Sequence, residues 1–192
     1  MKVLGIDPGT RFVGFALLQT TTSSGIQCLR SGTIKLGDGE VLDRLLKLQE
    51  MLTQLIVELQ PDHIVFESLI YVKSPTALIK LAMAKGVMVG VVAAMYKGKI
   101  FEYKPNLVKQ VVSGNGHADK MAMQKMIQLL MKKETFSSLD ESDAISIALC
   151  HILLQNSGNT HQLQARVQSK PMTGKRKSGS LATSLAHKVR EI

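Results

Sequence analysis

The sequence predicts an α/β fold, a mixed five-stranded sheet flanked by helices, within the first 156 of its 192 residues. Three apolar runs separated by turn residues open the chain. Two more then alternate with helix-period segments, and further helices close the pattern. Lys2 to Ile6 is a short apolar strand ended by the turn residues Asp7-Pro8-Gly9-Thr10, and Phe12 to Leu18 returns as the second strand of a hairpin. Cys28 to Leu36 is the third strand, and Gly37-Asp38-Gly39 breaks the chain. From Val41 to Leu59 the apolar residues Leu42, Leu45, Leu46, Leu48, Leu52, Leu55, Ile56 and Leu59 recur at helical spacing, and Pro61 ends the helix.

His63 to Phe66 reads as a buried strand that finishes at Glu67. Ser74-Pro75 is a helix start, with Pro at the first position, leading into Thr76 to Met95. Ile100 to Tyr103 is the fifth strand. Pro105 opens a short helix through Val112, Gly114-Asn115-Gly116 forms a loop, and helices follow over Lys120 to Met131 and about Asp140 to Leu154. The first three strands can pair antiparallel through hairpins. The fourth and fifth need helical crossovers, which places them parallel to the first.

Charge and cysteines narrow the function classes. Residues 157–192 carry seven basic residues against one acid, so +6 of the net +9 lies there, in a Gly-, Ser- and Gln-rich segment without periodicity. That segment reads as a flexible basic tail, and the remainder is nearly balanced. Such uneven basicity hints at a polyanionic partner without establishing one. Cys28 and Cys150 are too far apart in sequence for a redox or metal motif and read as free thiols of a reducing cytoplasm. No secretory signal precedes the first strand. The longest apolar run, Val87 to Met95, falls short of the ~20 residues a membrane span needs.

The carboxylates carry the chemistry. Asp7 and Glu67 each end an almost purely apolar strand. If those strands are parallel neighbours, both acids enter the crevice at the sheet's carboxyl edge, where open α/β sheets place their sites. Asp140 and Asp143, three apart at a helix start, share a face, while Glu141 points elsewhere. Singly, Asp7 could begin a turn, and Asp140 or Asp143 could complement a helix dipole. Glu67 has no turn to make. Together, such acids would repel one another without a counter-ion, and an all-oxygen set suits Mg²⁺ or Mn²⁺. Two such ions about 4 Å apart activate water and stabilise the leaving oxygen in phosphodiester cleavage.

Gly5-Ile6-Asp7-Pro8-Gly9-Thr10, Phe66-Glu67 followed by Lys73, Phe101-Glu102-Tyr103, Val108-Lys109-Gln110-Val111-Val112, and Asp140 with Asp143-Ala144-Ile145 occur in one order. That ordered set resembles the RuvC family of crossover junction endodeoxyribonucleases over roughly residues 1–155. The resemblance implies an RNase H-like fold, a homodimer, two Mg²⁺ ions per site with Mn²⁺ able to substitute, and paired nicks across a four-way DNA junction. It also implies RuvA and RuvB as partners and a cytoplasmic setting without a membrane. It makes Asp7, Glu67, Asp140 and Asp143 the catalytic, metal-binding acids, and places Lys109 and Lys120 near DNA. Where the family often carries a base-contacting aromatic, three positions after the Glu, this chain has Ile70, so we assign junction stacking to Tyr71, beside Lys73. The tail has no counterpart to align.

Other features carry two readings each. Lys73, Lys80, Lys109 and Lys120 are solvated charges or phosphate contacts. Gly114-Asn115-Gly116 is a plain turn or a phosphate-approaching loop. The small residues of Thr76–Met95 mark a core helix or a close dimer contact. His117 and His151 read as surface or structural residues. Three rivals remain. A sugar-kinase or actin-like phosphotransferase shares Asp-x-Gly-Thr but needs a second lobe and a second phosphate loop. An RNase H-like nuclease acting on structured RNA keeps the fold. A non-catalytic DNA-binding module is at odds with the intact acid set.

Overall fold

The computed structural model describes residues 1–21, 25–70, 74–95, 100–132 and 135–156. Strands β1 (Lys2–Asp7), β2 (Phe12–Thr20) and β3 (Ile26–Lys35) pair antiparallel, and β4 (His63–Glu67) and β5 (Ile100–Tyr103) run parallel to β1. The order across the sheet is β3-β2-β1-β4-β5, with the pairing directions expected from the lengths of the connections. The crossovers are α1 (Val41–Leu59) and α2 (Pro75–Met95). α1 stops where Gln60 adopts a left-handed conformation (φ 45°) and donates its N–H to the Ile56 carbonyl. The third strand starts two residues earlier than the sequence suggests. A bulge opposite Leu17 and Leu18 leaves Leu29 as an extra residue, a tertiary irregularity that no periodicity announces.

Strand side chains alternate between two cores. Leu4, Ile6, Ile64 and Phe66 face α1 and α2. Val3 and Val65 face α3 (Pro105–Ser113), α4 (Lys120–Met131) and α5 (Leu139–Asn156). By the same alternation Gly5, Asp7 and Glu67 belong to the α5 side. α5 itself is buried on almost every side, from Glu141 to Leu154.

Within that second core, His151 is fully buried and hydrogen-bonded at both ring nitrogens, to the Tyr103 hydroxyl at 2.8 Å and to His63 Nδ1 at 2.8 Å. Burial, helped by the neighbouring His63, pushes the His151 pKa down to about 4, so the ring is neutral at pH 7. Burial also pushes the Tyr103 hydroxyl up and the Cys150 thiol up to about 12. Both cysteines are free, as expected.

α2 is less buried than a core helix. It turns only Ala84, Lys85, Met88 and Val92 fully inward, packing on α1, and leaves Ile79, Met83, Val89 and Met95 exposed. A methyl group added at Gly86 or Gly90 would meet nothing within 4 Å. The helix is long and apolar enough to cross a bilayer by length and composition alone. Its Lys85 ammonium, however, is bonded into the sheet, to the Glu67 carbonyl and the Glu102 carboxylate. α2 is therefore a surface helix of this domain with an uncovered apolar face.

Candidate active site

Asp7 and Glu67 each lie one residue beyond Ile6 and Phe66, the last partners of the β1–β4 ladder. Two carboxylates therefore project side by side, on the α5 face, where the two parallel strands end. The turn that follows Asp7 is held from outside by Arg44, whose guanidinium donates to the Thr10 carbonyl at 2.6 Å. Gly9 closes it tightly, since a Cβ there would fall 1.8 Å from the Phe12 carbonyl oxygen.

Two glycines bring α5 down onto this edge. A Cβ at Gly5 would stand 2.3 Å from the Ala144 carbonyl oxygen, and one at Gly14 would stand 1.9 Å from that of Asp140. Gly14 is also the cross-strand partner of Asp7. The close approach sets the first turn of α5, with Asp140 and Asp143, beside the strand-end carboxylates.

That first turn is capped by Glu141 together with Ser137 and Ser138, two serines that the sequence pattern did not single out. Ser138 Oγ accepts the Glu141 N–H at 3.0 Å. The Glu141 carboxylate accepts the Ser137 N–H at 2.6 Å, the Ser137 hydroxyl at 2.6 Å and the Ser31 hydroxyl at 2.5 Å. Glu141 thus turns away from Asp140 and Asp143, as expected, and anchors the helix start to β3. The Ser138-x-x-Glu141 spacing of a capping box was its visible signal.

The electrostatics show four carboxylates sharing one environment. Burial pushes the Asp7 pKa up to about 8, and the charges of Asp143, Glu67 and Asp140 add to it while Lys120 opposes. Burial followed by the Asp143 charge pushes Glu67 up to about 7, against Lys109, Lys120 and Lys85. Asp143 is raised by burial and by Asp140, and lowered by Lys120, whose ammonium lies 3.7 Å away. Among the described residues no three such side chains are arranged to hold an ion as they stand. The acids repel each other and a lysine supplies the local positive charge. The donor chemistry nonetheless fits a hard divalent cation, being all carboxylate oxygen and short of positive charge.

A crevice of about 200 Å³ opens from Glu67 and Asp143 between α3, α4 and α5, walled by Lys109 and Lys120 with Val108 and Met123. Ile70 stands exposed at its mouth. Tyr71 and Lys73 lie outside the described residues, as does the 157–192 tail. The Gly114–Gly116 loop is a turn whose amides are already engaged. The N–H groups of 114 to 118 donate in order to the Gln110 carbonyl, Ser113 Oγ, Gln110 Oε1, Asn115 Oδ1 and the Asn115 carbonyl. His117 is exposed and His151 structural, as expected.

Residues 3–151 match the family described as "Crossover junction endodeoxyribonuclease RuvC". The chain belongs to this family. A RuvC protein of Agrobacterium fabrum is 36% identical over 152 residues, spanning 79% of this chain and 88% of that protein. The fold agrees with Thermus thermophilus RuvC at a TM-score of 0.72 and 23% identity, over 82% of this chain and 97% of that one. A second structure of that RuvC, in complex with a Holliday junction substrate, gives the same TM-score at 20% identity over the same shares. The family match ends at residue 151, whereas a RuvC protein of Rhizobium johnstonii, 34% identical over 166 residues, spans 86% of this chain and 96% of that protein.

Proposed function

We propose that the chain resolves Holliday junctions by paired symmetric nicks, with Asp7, Glu67, Asp140 and Asp143 holding two Mg²⁺ ions that Mn²⁺ can replace. One observation carries this reading. Burial and mutual repulsion lift Asp7 to about 8 and Glu67 to about 7 where two parallel strands end, and a divalent cation relieves that cost directly. Bound metal would supply an activated water and a charge on the leaving oxygen. The chain's own residues do the rest. Asp7 and Glu67 are fixed by the strands, and Asp140 and Asp143 by the capped, closely packed start of α5. Lys109 and Lys120 line the entry and counter the phosphate charge, while Tyr71 and Lys73 contact DNA near the branch point.

A four-way junction has two-fold symmetry, and two coordinated cuts call for two symmetric sites. The uncovered face of α2, with Ile79, Met83, Gly86 and Gly90 at helical spacing, supports a homodimer in which that face meets its copy. Function in the cytoplasm, with RuvA and RuvB as partners, completes the proposal. It is tested by incubating the full chain with Mg²⁺ and a mobile four-way junction, with structured RNA in parallel. Paired symmetric nicks from the wild type and none from Asp7→Asn are expected. Full cleavage by Asp7→Asn, or preferential cleavage of the RNA, overturns the reading.

A further inference from the structure

Lys85 is 8% exposed, and is one of only four α2 residues turned fully into the protein. Burying a lysine ammonium is costly unless its donors are engaged. Here two partners engage it: the Glu67 carbonyl at 2.8 Å and the Glu102 carboxylate. Neither is a random neighbour. Glu102 is the β5 partner of Phe66, and so lies on the α1–α2 face of the sheet. The Glu67 carbonyl sits one residue past the last β1–β4 partner pair, where the ladder that fixes β4 gives out. On its other edge the strand is closed by the Ser68 N–H donating to the Tyr103 carbonyl at 2.8 Å.

We propose that Lys85 is a positioning residue for Glu67: from the face opposite the carboxylates, it clamps the backbone of Glu67 to β5 where β1 no longer can. The clamp ties three elements at one atom, with α2 contributing the ammonium, β5 the counter-charge and β4 the carbonyl. The proposal rests on Glu67 being a metal-binding carboxylate. Groups that orient metal-binding residues without touching the ion commonly affect metal affinity or rate by about ten- to a hundredfold. Lys85 went unremarked in the sequence because it reads there as one of two lysines in an apolar helix.

The test uses the full chain with Lys85→Met, Lys85→Arg and Asp7→Asn beside the wild type. Three quantities are read: junction affinity in chelator, the Mn²⁺ concentration giving half of the metal-induced rise in melting temperature, and the single-turnover cleavage rate per folded molecule. Lys85→Met is expected to bind the junction as the wild type does, to need about tenfold more Mn²⁺, and to cleave about ten- to a hundredfold more slowly. Lys85→Arg, which keeps the charge and the donors, is expected to recover most of both losses. A merely structural lysine would lower the melting temperature in chelator but leave the Mn²⁺ midpoint and the cleavage rate unchanged, and that outcome overturns the proposal. Should Lys85→Met not fold, Glu102→Ala removes the half-exposed anchor and must shift midpoint and rate in the same direction. Full cleavage by Asp7→Asn, with no Mn²⁺ response in the wild type, sinks the metal site itself. A normal wild-type response matched by Lys85→Met sinks only the clamp.

Discussion

Gly14→Ala tests the geometry that assembles the site. The new methyl carbon would lie 1.9 Å from the Asp140 carbonyl oxygen and 2.5 Å from its carbonyl carbon, where contacts under 3.0 Å are not accommodated. Both obstructing atoms are backbone, so no side chain can swing aside. The first turn of α5 must retreat by roughly an ångström, carrying Asp140 and Asp143 away from Asp7. Overpacking of this kind costs about 1–3 kcal/mol, and the absence of a flexible neighbour places it toward the upper end. At about 2–4 °C per kcal/mol for a chain of this size, the melting temperature should fall by several degrees. Misplacing reacting groups by ~1 Å costs about a hundredfold in rate, so cleavage should suffer far more than stability. Melting in chelator and single-turnover cleavage of a four-way junction measure the two effects. Gly39→Ala, with nothing within 4 Å of the added methyl, is the neutral control. A Gly14→Ala protein with wild-type rate and melting temperature would refute the close-approach argument.

Asp7→Asn should abolish cleavage while keeping junction binding, and should raise the melting temperature in chelator. Because the folded pKa of Asp7 is raised from 3.8 to about 8, its ionisation costs stability that is intact below about pH 4 and is lost as pH rises through about 8. The wild type in chelator should therefore weaken across that window by on the order of a few kcal/mol, and the Asn variant should not show that share of the loss. Parallel pH–stability curves for the two proteins would contradict this. Tyr103→Phe leaves one buried nitrogen of His151 without its partner, and should cost about 1–3 kcal/mol in denaturant melts. An unchanged midpoint would mean the bond contributes no net stability. Truncation after Gln155 should weaken binding to junction and linear DNA alike and flatten the salt dependence, by a slope of about 0.9 per lost phosphate contact. An unchanged slope would show the tail makes none.

Asp7 and Glu67 were legible because a carboxylate ending an apolar run breaks a pattern, and because crossover rules alone make β1 and β4 parallel. The pleat then puts both on one face, as β1–β4 register confirms. Asp140 and Asp143 were legible by their spacing at a helix start. What brings them to Asp7 was not. Gly5 and Gly14 are unremarkable in sequence, and their role appears only when α5 lies within van der Waals range of the strands. The same holds for Arg44 on the Thr10 carbonyl and for Lys85 behind Glu67, whose partners are 34 and 18 positions distant. Burial shows α2 to be less of a core helix than its composition suggests, since an apolar composition cannot say which side has a neighbour within the same chain. The Gly114–Gly116 loop was settled by its amides, all turned to acceptors within the turn and the helix before it.

The hydrogen bonds of His151 bear on the far end of its helix. α5 is apolar or small on nearly every side, so hydrophobic burial by itself would tolerate rotation about the axis or sliding along it. A neutral imidazole held between Tyr103 and His63 removes that freedom, since a slip of one turn, about 5.4 Å, would break both bonds inside the core. His151 lies eleven positions after Asp140, about 16.5 Å of helix at 1.5 Å per residue. The helix thus acts as a measured strut, keyed at one end by an uncharged polar pin and presenting its acids at the other. The distance between pin and acids is set by helical rise, so an insertion or deletion of one residue between them would rotate the carboxylates by about 100° relative to the pin, together with the core residues on their side of the change.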